Sequence, residues 1–194
     1  MKQKLFLVPS PLGDTDIQQV IPSVVFPSIS HVTHFAVEEL RSARRYLSKL
    51  GFRGNIESLN FYEINEHSTP KDIEDIFAVL KAGNDMALIS EAGLPAVADP
   101  GAALVSLAHK GDIDVVPFVG PSSLMMALMS SGLNGQCFAF CGYIPVKKEE
   151  RKKRLKAQLI VWFNLQKLEN SWVHIGLYSI QDFIQAENLI PVWI

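Results

Sequence analysis

Four short segments of this 194-residue chain join acids, arginines and hydroxyls to rigid backbone. "SEAGLPAVADPG", Ser90 to Gly101, holds two acids, two prolines and two glycines in twelve residues. Its Asp99, Pro100 and Gly101 form a turn ahead of a helix, where Asp99 either caps that helix or helps backbone groups bind a polar small molecule. "PSPLGD" carries Pro9, Pro11 and Gly13. The prolines fix the chain's path and the glycine admits a ligand to the backbone, or the segment is a plain tight turn. It is not a G-x-G-x-x-G loop, so the dinucleotide fingerprint fails. "GPSS" sets Gly120 and Pro121 before Ser122 and Ser123, whose hydroxyls suit a helix cap or a ligand contact. No histidine is linked by a motif to these serines, which argues against a serine nucleophile. "VEELRSARRYL" puts Glu38 and Glu39 beside Arg41, Arg44 and Arg45. These are either solvated charges on the first turns of a helix or an acid and an arginine that handle substrate.

The elements around these segments place them together. Leu5–Val8, His31–Val37, Ser58–Ile64, Asp85–Ser90 and "DVVPF" read as strands. Helices are expected at Glu39–Leu50, over "STPKDIEDIFAVLKAG", from Gly101 to Lys110 and from Leu124 to Ser130. In the second of these Thr69 is the N-cap, Pro70 the first helical residue, Asp72 the capping-box partner and Gly83 the stop. Strands alternating with helices imply an α/β fold with a doubly wound parallel sheet. Ligands bind outside the carboxyl ends of such strands, and all four segments follow strands. The expected organisation is an N-terminal α/β domain over 1–116 and a smaller, partial α/β domain over 117–194.

Composition is that of a globular protein, 48% hydrophobic and 20% charged. The net charge of -2 conceals a segment from Lys147 to Lys156 with seven cations against Glu149 and Glu150. Such a run is a solvated helix face or an electrostatic footprint for phosphates. No apolar run reaches the ~18 residues of a membrane span and the start lacks a signal peptide's layout, so a cytoplasmic protein without membrane partners is expected. Cys137 and Cys141, in "CFAFC", read as buried free thiols on one face of a strand. No zinc or other metal site is expected.

Together, "LFLVPSPLGD", "VEELRSARRYLSKLG", "ALISEAGLPAVADPGAALV", "VVPFVGPSSLMMALMSSGL" and "FAFCGYIPVKKEERKKRL" occur in the order of the tetrapyrrole methylase superfamily. Over about residues 4–156 the chain resembles that superfamily, nearest its branch of 16S ribosomal RNA cytidine-2'-O-ribose methyltransferases. The resemblance implies an S-adenosyl-L-methionine-dependent methyltransferase of two α/β domains, a homodimer with the cofactor in the interdomain cleft. It assigns the cofactor pocket to Pro9, Pro11, Gly13, Asp99, Pro100, Gly101, Gly120, Pro121, Ser122 and Ser123. Glu38 is the candidate base and Arg41 the group that places substrate phosphate. Ribosomal RNA is the first candidate substrate. A tetrapyrrole or other small molecule is the alternative, and a non-catalytic truncated homologue the third.

The chain also departs from the branch. It has "VEELR" for "AEDTR" and "SEAGLP" for "SDAGTP", so each acid gains a methylene and two threonines become Leu40 and Leu94. From Ala157 the match ends, and the last 38 residues hold all three tryptophans and one of 12 glycines. Either the tail has diverged or been truncated, packing its tryptophans over an incomplete sheet, or a shifted reading frame has replaced it.

Overall fold

The protein's structure is a computed structural model that describes residues 2–132, 135–136, 138–140, 142–143 and 145–166, with side chains described as far as 157. It falls into two compact units that meet in sequence between Ala127 and Leu128.

In the first unit, β1 (Lys4–Val8), β2 (His34–Val37), β3 (Asn60–Glu63), β4 (Met86–Ile89) and β5 (Asp114–Pro117) form one sheet in the order β3-β2-β4-β1-β5. Every pairing is parallel. Parallel strands must be covered on both faces, and all four residues of β4, at the centre, are buried. Alternate side chains feed two cores. Phe6, Val8, Phe35, Val37, Ala87 and Ile89 pack with residues of α1 (Ile17–Val20), α2 (Val25–Ile29) and α3 (Leu40–Leu47). Leu5, Ala36, Met86 and Leu88 pack on the opposite face with α4 (Pro70–Lys81) and α5 (Ala102–Lys110). The expected doubly wound α/β architecture is therefore present, with sheet order reversing so that loops after β1, β2, β4 and β5 neighbour one another.

Local signals explain most boundaries. Thr69 and Asp72 form the capping box of α4, and Pro70 opens it. The helix expected to run to Leu50 is α-helical to Leu47 and continues as a π-type turn, Ser48–Phe52, broken at Gly51, the expected stop. Glycine is required at that break: a Cβ on Gly51 would lie 2.7 Å from the Phe26 ring, and Gly51 takes φ 141°. α1 and α2 were not expected from the sequence, yet Val25 and Ile29 are fully buried.

The second unit contributes the end of α6 (Ser123–Ser131) and α7 (Lys148–Gln166). α7 carries the basic run, with Glu150 3.5 Å from Lys147 and Glu149 3.8 Å from Lys152. The strand expected at "CFAFC" is corrected in part: Phe138–Phe140 have no regular structure, lacking a pairing strand among the described residues, and both phenylalanines are exposed. Cys137 and Cys141, like Trp172, Trp193 and the tail beyond Gln166, lie outside the described residues.

Candidate functional site

The four segments meet. Ser10 and Gly93 form an antiparallel bridge, Ser10 N–H donating to the Gly93 carbonyl (2.9 Å) and Gly93 N–H to that of Ser10 (3.1 Å). This ties the loop after β1 to the loop after β4. The buried Ser10 hydroxyl donates to the Ser90 carbonyl at 2.9 Å, adding a second tie. Glu38, just past β2, accepts the Glu91 N–H on Oε2 at 2.9 Å and joins a third loop. The loop after β5 closes the group. A Cβ on Gly120 would stand 2.1 Å from Pro9 Cβ and 3.3 Å from Leu94 Cδ2, so only glycine allows this approach. Gly93 has φ +84°, and a Cβ there would lie 3.5 Å from the Pro121 carbonyl.

α3 holds the arrangement from one side. Its N-cap is Glu39, whose carboxylate accepts from the amides of Arg41 (2.8 Å) and Ser42 (2.5 Å). Those amides favour the charged form and lower the Glu39 pKa. Tyr46, on the buried face of α3, donates its hydroxyl to the Pro9 carbonyl at 2.6 Å. Burial pushes that phenol's pKa far up, so it remains a donor.

Asp99 departs from its expected role as a helix cap. Its Oδ1 accepts from Ala96 N–H and Gly101 N–H, each at 2.9 Å, and α5 follows without a side-chain cap. Pro100 has no N–H to offer, so the carboxylate turns back onto its own loop. Ala96 (φ 63°) and Ala98 (φ 60°) are both left-handed there, a conformation costing roughly 1–2 kcal/mol per residue for a side chain with Cβ. Such strain persists where surrounding contacts over-determine it, as these do. Burial raises the Asp99 pKa above the usual carboxylate value; the Gly101 and Ala96 amides oppose the rise and the Glu38 charge adds to it. The Ser90 hydroxyl is buried beside this carboxyl.

Ser122 meets its expectation as a cap, its hydroxyl accepting from Met125 N–H at 3.4 Å and its carbonyl from Met126 N–H at 2.9 Å at the start of α6. Pro11 and Gly13 instead line a 440 Å³ cleft between the β1 loop and α3, shared with Ser10, Tyr46, Ser90 and Glu91. Arg41 is exposed on α3. The contacts of Tyr46, Ser10 and Ser90 are not marked by any motif in the sequence. A tyrosine on the apolar stripe of an amphipathic helix was the available signal, since a buried phenol needs a partner.

The donor set suits a polar, partly charged small molecule. Among the described residues, the amides of Ala98, Asp99, Gly120 and Ser122 bond to no protein group. Hydroxyls at Ser90, Ser122 and Ser123 lie in the same group of loops, and no cluster of metal-ligating side chains occurs among the described residues.

No protein-family model matches the chain. It is 34% identical over 157 residues to ribosomal RNA small subunit methyltransferase I of Mesorhizobium japonicum, covering 81% of this chain and 51% of that protein. It is 32% identical over 155 residues to the protein of the same name from Escherichia coli, covering 79% and 51%. The protein of that name from Vibrio cholerae is 33% identical over 152 residues, with 78% and 50% covered. Over about four-fifths of its length, then, the chain is similar to small-subunit ribosomal RNA methyltransferase I proteins, and it spans about half the length of the curated relatives it matches.

Proposed function

We propose that the chain binds S-adenosyl-L-methionine at the carboxyl ends of β1, β4 and β5 and serves methyl transfer to a ribose 2'-hydroxyl of ribosomal RNA. The observation that carries this reading is the convergence of the four loops, because the segments drawn together are those that bear the family resemblance. The cofactor supplies a methyl group on a sulfonium. Pro9, Pro11 and Gly13, the Asp99–Pro100–Gly101 turn, and Gly120–Ser123 hold it through backbone groups and hydroxyls, keeping it oriented and away from water. Glu38 is the base that takes the ribose proton. Its Oε2 is held by the Glu91 amide, which aims the carboxylate. Arg41 places a substrate phosphate. The protein works in the cytoplasm as a homodimer, and a second α/β domain begins near residue 117.

A second reading, methylation of a tetrapyrrole or another heterocycle, is favoured by Leu40 and Leu94, which are apolar where the related branch has hydroxyls. A third reading is cofactor binding without catalysis. Incubating the chain with methyl-labelled S-adenosylmethionine and unmodified small-subunit ribosomal RNA separates them. Label in a ribose 2'-position supports the lead reading. Label only in a small molecule replaces it, and cofactor binding without any transfer selects the third.

A further inference from the structure

α3 and the turn after it carry Arg41, Arg45 and Lys49 at four-residue intervals. On a helix this spacing stacks side chains on one side at steps of about 6 Å. Arg45 and Lys49 line the 440 Å³ cleft, whose facing wall is Gly13, Asp14 and Thr15.

The neighbouring charges leave this row available. Glu38 is taken up by the Glu91 amide and Glu39 by the first amides of α3, which Arg45 reaches only as a nearby charge. Arg44 is paired with Glu57 and lies off the row. Lys49 has one acidic partner, Asp14 at 3.7 Å, whose side chain is 100% exposed; such a pair is worth little in water. Glu91 stands exposed on the cleft. Among the described residues the guanidinium of Arg45 makes no hydrogen bond or salt bridge.

We propose that Arg45 and Lys49 continue the row from Arg41 as a track for the phosphate backbone of single-stranded RNA, each taking one phosphate. The inference rests on the RNA reading above and adds two positioning residues outside the resembling acid-arginine motif. A row of separate cations at regular steps suits a polymer with regularly repeated charge. Arginine offers a phosphate two parallel N–H groups, and lysine offers a point charge.

The test is the salt dependence of binding to a short single-stranded RNA of small-subunit ribosomal sequence, by fluorescence anisotropy on the full chain. The Arg45→Gln/Lys49→Gln variant is compared with Lys71→Ala/Lys110→Ala, which removes equal charge elsewhere on the surface. Each lost phosphate contact lowers the slope of log K against log salt by about 0.7, so the first variant's slope falls by about 1.4. Raising salt from about 50 to about 200 mM should then cost it about sevenfold less affinity than the wild type. The control should keep both the wild-type slope and the wild-type affinity for S-adenosylmethionine. If the wild type binds RNA and both variants give one slope, the track is overturned while the RNA reading stands. If the wild type shows no salt-dependent RNA binding, the RNA reading falls and takes the track with it.

Discussion

Gly120 is where the loop assembly is least tolerant, and Gly120→Ala isolates the consequence. An alanine Cβ would lie 2.1 Å from Pro9 Cβ and 2.6 Å from its Cγ. Carbon atoms in good contact are about 3.5–4.0 Å apart, so one loop must retreat by about 1.5 Å. Pro9 has little freedom to yield. Its ring is rigid, its carbonyl is held by Tyr46, and the next residue is bridged to Gly93. The loop after β5 therefore moves, at about 1–3 kcal/mol by the usual cost of overpacking. That cost should appear in urea denaturation as a lower midpoint with unchanged slope. The same displacement moves Ser122 and Ser123 away from the Asp99 turn, so cofactor affinity should fall about tenfold or more. Gly13→Ala is the matched control: a Cβ there meets nothing within 4 Å and its φ is not positive. It should change stability by no more than about 0.5 kcal/mol. Wild-type stability and cofactor affinity in Gly120→Ala would refute the close approach as the basis of the site.

Two further substitutions separate chemistry from architecture. Glu38→Gln keeps an acceptor for the Glu91 amide but removes the base, so single-turnover methyl transfer should slow by about 10²–10⁴ while cofactor affinity holds. Unchanged turnover would remove Glu38 from the chemistry. Asp99→Asn keeps an oxygen for the Ala96 and Gly101 amides and deletes a charge disfavoured by burial. Because the folded pKa of Asp99 is raised, its contribution is full below the unfolded value of about 3.9 and is lost as pH rises through the folded value. Denaturation of both proteins across that range should show the wild type losing stability relative to Asp99→Asn as pH rises. Parallel pH curves would contradict the burial assigned to this carboxyl. Glu39 and Asp72, whose pKa values are lowered by hydrogen bonds, work in the opposite sense in both proteins and cancel in the comparison.

Much of this arrangement was legible from local pattern. Thr69, Pro70 and Asp72 mark the start of α4 by residue type alone, and the apolar runs of β1 and β4 mark buried strands. Once parallel strands alternate with helices, the loops at their carboxyl ends must be neighbours. What remained hidden depends on distant partners. Tyr46 and Pro9 lie 37 positions apart and Glu38 and Glu91 lie 53 apart, so no window of sequence displays either contact. The packing of Phe26 against Gly51, 25 positions away, is likewise a tertiary contact that no local pattern displays. α1 and α2, four and five residues long, are too short to display a helical period in the sequence. Pro27 sits in the first turn of α2, where its missing N–H costs no helical bond. Asp99 shows a limit of another kind: a carboxylate ahead of a helix reads as a cap, and only the structure distinguishes that from a loop brace.

Cofactor binding underlies every step proposed for this chain, and calorimetric titration of the full chain with S-adenosyl-L-methionine measures it directly. The loop assembly predicts saturable binding at one site per chain, weakened in Gly120→Ala and retained in Glu38→Gln. A folded chain that takes up no cofactor heat at millimolar ligand would contradict the central claim.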